Sequence, residues 1–188
     1  MSSGFFEFIE LDQRHFNQFF DYLNDHLADN GVGLTPLFQP QSRYKPGLPT
    51  EKAATIQREL LIPVGEPKWR RGWIALHQNN KNVKKEIVGH IDLRSHGSRE
   101  TQHRALLGMG THRDFRRCGL GRQLLAVVVD WINDNKVVET IDLWVLNSNK
   151  PAISFYKKEG FEQFGQINDM FRIDGESEGQ IFMSKKII

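Results

Sequence analysis

Cysteine is almost absent from this chain: among 188 residues there is one, Cys118. A single thiol excludes an intramolecular disulfide framework and a cysteine-rich zinc site. Long apolar runs are also missing. The longest aliphatic stretch, Leu124–Val129, falls far short of the roughly 20 residues that span a bilayer. Met1–Glu10 has no basic segment leading into an apolar one, so it does not read as a signal peptide. These absences, with one free thiol, point to the cytoplasm and to no membrane partner. Charge of one sign is lacking as well. There are 25 Lys and Arg against 23 Asp and Glu, a net of +2, which by itself argues for no nucleic-acid partner. The histidines at 15, 26, 77, 90, 96, 103 and 112 show no ligand spacing, so no metal site is expected.

What is present is ordinary globular material. Apolar residues make up 39%, which excludes a disordered or collagen-like chain, and the length suits one domain over 1–188. Phe5–Leu11 alternates as a strand does, and Asp12 offers a helix cap. Phe16, Phe19, Phe20, Leu23 and Leu27 follow at helical spacing, predicting a helix over 13–29. Residues 31–50, broken by Pro36, Pro40 and Pro46, read as a long loop, a feature that is often functional. Thr50 is a candidate cap for a second helix.

Strands are expected at Gly72–Gln78 and Glu86–Arg94, flanking the turn Asn79-Asn80-Lys81-Asn82, and at Arg104–Thr111. Leu120, Leu124, Val128, Trp131 and Ile132 make a helical stripe within Gly119–Asn135. Val137–Leu146 is the next strand, and Asn149–Glu159 a short helix with Pro151 in its first turn. Phe161–Phe171 and Gln180–Ile187 close the chain as a strand pair. Strands with helices between them make an α+β or mixed α/β fold.

The most informative segment is Arg116-Arg117-Cys118-Gly119-Leu120-Gly121-Arg122, between an apolar strand and an amphipathic helix. Its glycines permit close backbone approach, and the free N–H groups of a helix start favour an anion. Its arginines add charge-assisted contacts to phosphate oxygens. It is not a P-loop, having no G-x-x-x-x-G-K-[ST], and it lacks the third glycine of a dinucleotide fingerprint.

Strand, R-x-x-G-x-G, then helix resembles the acyl-CoA pyrophosphate motif of the GNAT acetyltransferase superfamily. Downstream, Val145-Leu146-Asn147-Ser148-Asn149-Lys150-Pro151-Ala152 and Phe155-Tyr156-Lys157-Lys158-Glu159-Gly160-Phe161 resemble that family's second motif. The two motifs cover about residues 104–162. The resemblance implies a mixed α/β fold with about four helices and a mostly antiparallel central sheet, splayed at the two strands flanking the CoA site. It implies acetyl-CoA as co-substrate, a primary amine (small molecule or peptide) as acceptor, and direct transfer between them. A homodimer is left open.

Carried over residue by residue, Met109, Gly110 and Thr111 match the strand end that pairs with pantetheine. Arg116, Arg117, Cys118, Gly119, Leu120, Gly121 and Arg122 match the loop that holds the pyrophosphate. Asn149 matches a side chain on the pantetheine arm. Tyr156 matches the general acid that protonates the departing thiolate, a role suited to a phenol that is a donor at neutral pH.

The general base is not carried over. Where ribosomal-protein N-terminal acetyltransferases have a Glu, this chain has Trp144. His103, with a suitable intrinsic pKa, is the first candidate base; Glu100 and Asp142 are others. Cys118, at a helix start among arginines, is expected in a setting that favours thiolate. Residues 1–30 carry a net −5 (Glu7, Glu10, Asp12, Asp21, Asp25 and Asp29 against Arg14) and the remainder +7. Asp21, Asp25 or Asp29 is a candidate for attracting a cationic amine. The 31–50 loop, with Phe38, Arg43, Tyr44 and Lys45, is the candidate for acceptor selection. Two rivals stay in view: a non-catalytic acyl-CoA-binding module on the same fold, and a nucleic-acid binder using Arg113–Arg122.

Overall fold

A computed structural model describes residues 6–78 and 85–188. The expected 79–82 turn and Phe5 lie outside the described residues. In chain order the elements are β1 (Phe6–Glu10), α1 (Phe16–Ala28), α2 (Thr50–Leu60), β2 (Arg70–His77), β3 (Glu86–Ser95) and β4 (Arg104–Thr111). They continue as α3 (Leu120–Asn135), β5 (Thr140–Leu146), α4 (Lys150–Lys158), β6 (Glu162–Ile173) and β7 (Glu176–Lys186). All seven strands share one sheet, in the order β1-β2-β3-β4-β5-β7-β6. Every neighbouring pair is antiparallel except β4 and β5. The mixed α/β fold with four helices is the one the sequence implies.

Local chemistry sets the helix boundaries. Asp12 caps as expected: its carboxylate accepts from the Arg14 amide at 2.9 Å, and a short 3-10 turn then leads into α1. Asn149 caps α4 by accepting from the Ala152 amide at 3.3 Å, with Pro151 in the first turn where its missing N–H costs nothing. Thr50 does not cap α2. Pro49 stands in the cap position and Thr50 is already the first helical residue. A proline there presets the backbone angle for helix entry without supplying a side-chain acceptor.

The sheet carries a core on each face. On one, α3 lays Leu120, Leu124, Leu125, Val128 and Ile132 against Trp69, Ile91, Leu93, Leu107, Ile141, Leu143 and Met183. On the other, α1 lays Phe16, Phe19, Tyr22 and Leu23 against Ile74, Leu76 and Ile87. Strand alternation divides β3 between them. Ile91 and Leu93 face α3, while His90, Asp92 and Arg94 face the α1 side.

The long loop after α1 is built rather than slack. Asn30, almost fully buried, accepts from the amides of Phe38 (2.7 Å) and Gln39 (2.9 Å) and donates to the Gln39 carbonyl (3.0 Å). Leu37 packs on Leu146 and Ile173, and the Arg43 amide donates to Asp174 at 3.0 Å. The loop therefore runs from the α1 half of the molecule to the β5-β7-β6 half.

Leu124 has no exposed surface and lies within the core beneath Gly89. Leu124→Ala should lower unfolding free energy by about 3 kcal/mol, as large-to-small core changes do. Urea titration will read this as a lower midpoint with an unchanged slope.

Candidate active site

Strands β4 and β5 pair through three positions only: Arg104 with Thr140, Ala105 with Ile141, and Leu106 with Asp142. Both continue as strands, to Thr111 and Leu146, but with no pairing between them. The sheet opens into a wedge from Leu107 and Leu143 onward. The polar backbone along the edges facing the wedge has no partner strand there. Such a row is a template for an extended amide-bearing ligand.

Where β4 ends, the chain turns through Arg113–Phe115 and enters α3. Arg117 (φ 61°) and Gly119 (φ 87°) are both left-handed, and Gly119 is the residue before the helix. A non-glycine residue in that conformation is uncommon and concentrates at functional sites. Gln123 is the first amide bonded to a carbonyl of this turn, that of Gly119 at 3.2 Å. The amides of Leu120, Gly121 and Arg122 precede it and have no intrahelical carbonyl to meet. They gather at the positive end of a 16-residue helix. Gly121 would place a Cβ against Phe155 and Met109, 3.5 and 3.6 Å away. Glycine thus keeps this corner between loop, β4 and α4 open.

The arginines of the segment divide their work. Arg113 binds Asp25 and Asp29, and Arg116 binds Asp29 at 3.1 Å and the Thr111 carbonyl at 3.4 Å. These two fasten the loop to the end of α1. Arg122 meets Glu159 at 2.9 Å. Arg117 has no ion-pair partner among the described residues. The Cys118 thiol is exposed and donates to the Phe115 carbonyl at 3.0 Å.

On the α3 side of the wedge stand Tyr156 and Asn149. The Tyr156 ring is buried between Phe155 and Phe161, at 5.3 and 5.4 Å. Its hydroxyl has no hydrogen-bond partner among the described residues. Burial, and secondarily the Asp92 carboxylate, push its pKa above the ordinary phenol value, so it remains a proton donor. Asn149 uses its oxygen as the α4 cap, leaving its amide group without an acceptor among the described residues.

The α1 side of the wedge is made by β3 leaning over β4. Gly108 and Gly110 are in register with Asp92 and His90. A Cβ at Gly110 would come within 2.6 Å of both His26 and His90. A Cβ at Gly108 would run into the Asp92 carboxylate and lie 3.3 Å from Arg94. With no side chains on β4 here, those of β3 lie over its backbone. Tyr22 donates to the Gly110 carbonyl at 3.2 Å, so its oxygen accepts from His90 Nδ1, also 3.2 Å away. This assigns the His90 proton to Nδ1. Asp92 Oδ1 is held by Arg70 at 2.7 Å, and Arg70 is held in turn by Glu59 at 2.8 Å. Asp92 Oδ2 has no partner among the described residues.

Neither Asp92 nor His90 is apparent from sequence alone. The signal that could have found them is the alternation His90-x-Asp92-x-Arg94 opposite Gly108-x-Gly110. Of the bases sequence reasoning offers, His103 is exposed at the start of β4. It is five residues short of Gly108, about 16 Å along an extended strand, at the closed end of the wedge. Glu100 is exposed and bonded to Ser98. Asp142 is buried and fully engaged by Arg104 (2.8 and 2.5 Å) and His96 (2.9 Å). Asp25 and Asp29 are likewise engaged by arginines. Phe38 of the long loop stacks on His26 with centroids 4.6 Å apart, while Tyr44 is exposed. No group of three or more His, Cys, Asp or Glu suited to a metal occurs among the described residues, and no helix among them is long and apolar enough to cross a membrane.

Residues 40–161 match the acetyltransferase (GNAT) family. Over 75 residues the chain is 32% identical to N-alpha-acetyltransferase 60 of Drosophila melanogaster, a match covering 39% of this chain and 27% of that protein. The chain thus spans about a quarter of this curated relative's length. A putative acetyltransferase of Acinetobacter baylyi superposes with a TM-score of 0.77 at 18% identity, covering 99% of this chain and 94% of that one. A putative acetyltransferase of Salmonella typhimurium, solved with its cofactor acetyl-CoA, gives 0.72 at 14% identity over 97% and 94% of the two chains. At such identities these two likenesses speak to the fold.

Burial holds the pKa of His26 down to about 3 and that of His90 down to about 4. In the unfolded chain both take up a proton near the ordinary 6.5, so the unfolded state binds more protons below that pH. Stability should be full above about pH 6.5 and decline as pH falls toward 4, by about 1 kcal/mol per histidine between pH 7.5 and 5.5. Urea unfolding at those two pH values will measure it, and His26→Gln should show the smaller loss.

Proposed function

Because this chain belongs to the GNAT acetyltransferase family, we propose that it transfers an acetyl group from acetyl-CoA to a primary amine bound in the β4–β5 wedge. The observation that carries the reading is the wedge itself. An unpaired strand edge leads to a helix start with free amides, and on the same α3 side stands a phenol with no hydrogen-bond partner among the described residues. Acetyl-CoA is consumed in the reaction and so enters as a substrate. The residues suit its parts. The amides of Leu120, Gly121 and Arg122, with the Arg117 side chain, meet a pyrophosphate. The edge of Met109, Gly110 and Thr111 pairs with the pantetheine amides, and the free amide group of Asn149 reaches the same arm.

The amine enters from the α1 side, beneath the long loop. Its nitrogen lone pair forms the new bond to the thioester carbon, and a β4 amide takes the charge that builds on the carbonyl oxygen. The nitrogen passes its surplus proton to Asp92 Oδ2. The carbon–sulfur bond then breaks with its electron pair on sulfur, and Tyr156 gives that sulfur a proton. Asp92 replaces His103 in this scheme because its free carboxylate oxygen overhangs Gly108, within the wedge.

Tyr156→Phe should lower kcat about 100-fold, the usual scale for losing a positioned acid, with little change in KM for acetyl-CoA. Thiol release from acetyl-CoA across a panel of primary amines tests both the activity and this variant; an unchanged kcat removes Tyr156 as the acid. Alkylation of Cys118 is an independent check on where CoA binds. A maleimide should label it readily in the free protein and more slowly with CoA present, since the thiol sits in the loop assigned to the pyrophosphate.

A further inference from the structure

Above Gly108 lie charges of both signs. Asp92 Oδ2 overhangs this glycine, and Arg94 Nη1 is 3.3 Å from where its Cβ would be. The two side chains scarcely satisfy each other. Their nearest approach is 3.4 Å, between Arg94 Nη1 and Asp92 Oδ1, the oxygen already bound more closely by Arg70. That contact is the one hydrogen bond the Arg94 side chain makes among the described residues. Four of its five N–H groups are therefore available.

The wider cluster is not neutral. Glu59 and Asp92 supply two negative charges, and Arg70, Arg94 and Lys52 supply three positive ones. Glu59 and Asp92 Oδ1 are committed to Arg70. Lys52, in the first turn of α2, has no ion-pair partner among the described residues. Its ammonium feels Arg94, Arg70 and Asp92, and partial burial together with the two arginines lowers its pKa. The cluster's net charge is therefore +1: one carboxylate oxygen is left facing the wedge beside Arg94 and Lys52, whose two positive charges Asp92 only half offsets.

Across the gap the facing wall is Trp144. Two residues beyond the last β4–β5 pair, Leu106 with Asp142, Trp144 is level with Gly108, and its side chain is half exposed and packed edge-on against Phe182. A ligand lying here meets a carboxylate and a guanidinium on one side and an indole on the other.

We propose that the acceptor is a zwitterion, a free amino acid whose ammonium is drawn to Asp92 and releases one proton to solvent before its nitrogen attacks, whose carboxylate is held by Arg94 and Lys52, and whose apolar side chain lies toward Trp144. Ammonium and carboxylate on one carbon match charges of opposite sign set a few ångströms apart over a single glycine. A simple cationic amine leaves Arg94 and Lys52 uncompensated. An arginine offers a carboxylate two parallel N–H groups, which a neutral amide cannot use as well. This inference rests on the acetyltransferase reading and narrows its substrate.

The test is thiol release from acetyl-CoA with matched acceptors: leucine, methionine and phenylalanine, each as the free acid, the carboxamide and the decarboxylated amine. The expected result is a kcat/KM for the free acids at least tenfold above that for either partner. Arg94→Met and, separately, Lys52→Met should bring the ratio of acid to amide toward one. Lys52 is on an exposed helix turn, so its variant keeps the test sound if Arg94→Met folds poorly. Amides or decarboxylated amines used as well as the acids overturn the zwitterion assignment while leaving the transferase reading intact. If no amine of any kind releases thiol, the transferase reading fails instead. The assignment is then decided by thermal shift with CoA present, where the acids must stabilise the protein and the amides must not.

Discussion

The β4–β5 ladder stops after three residue pairs, and the rest of the molecule is arranged around that stop. A parallel pair joined through a helix would ordinarily bond along its length. Here the two strands are each held by an antiparallel neighbour instead: β4 by β3 along seven positions and β5 by β7 along another seven. Each half of the sheet is secure without the other. The parting between them is therefore a fixed shape, and the unpaired edges within it remain available without loss of the fold.

Three features close the parting from outside. Helix α3 crosses between the halves and brings its amino end to the mouth of the wedge. The loop after α1, pinned internally by Asn30 and at its far side by Asp174, covers the opposite face. The Arg113 and Arg116 pairs with Asp25 and Asp29 tie the α3 entry to α1. These ion pairs are partly exposed, so their individual contributions to stability are small, on the order of 1 kcal/mol or less. Their effect is geometric: they hold a left-handed, amide-presenting turn beside the end of β4.

Much of the fold was legible because the signals were local. Arg104–Thr111 reads as a strand from its apolar run after a turn, and the structure has the same bounds. Asn149 and Pro151 announce the start of α4, and Gly119-Leu120-Gly121 announces a helix entry suited to an anion. The acceptor side was not legible for a physical reason. Asp92 enters the proposed scheme because Gly108 lies opposite it in an antiparallel register, and because β5 is no longer paired with β4 there. Neither condition is written near residue 92. His103 is near β4 in sequence, but it belongs to the end of the strand where the ladder is still closed. Asp142 shares a strand face with Trp144, as period-two reasoning requires, yet Arg104 and His96 already consume it.

The bare backbone of β4 at Gly108 and Gly110 has one more consequence. In the proposed scheme β4 contributes little but peptide groups toward the acceptor, and the chemically distinctive side chains arrive from β3, one strand behind. Preference for a partner can therefore change through β3, α2 and the overlying loop without altering a residue of the phosphate turn. In the proposed scheme the chain separates a grip made of peptide groups from one made of side chains, and the two glycines are the seam along which that separation runs.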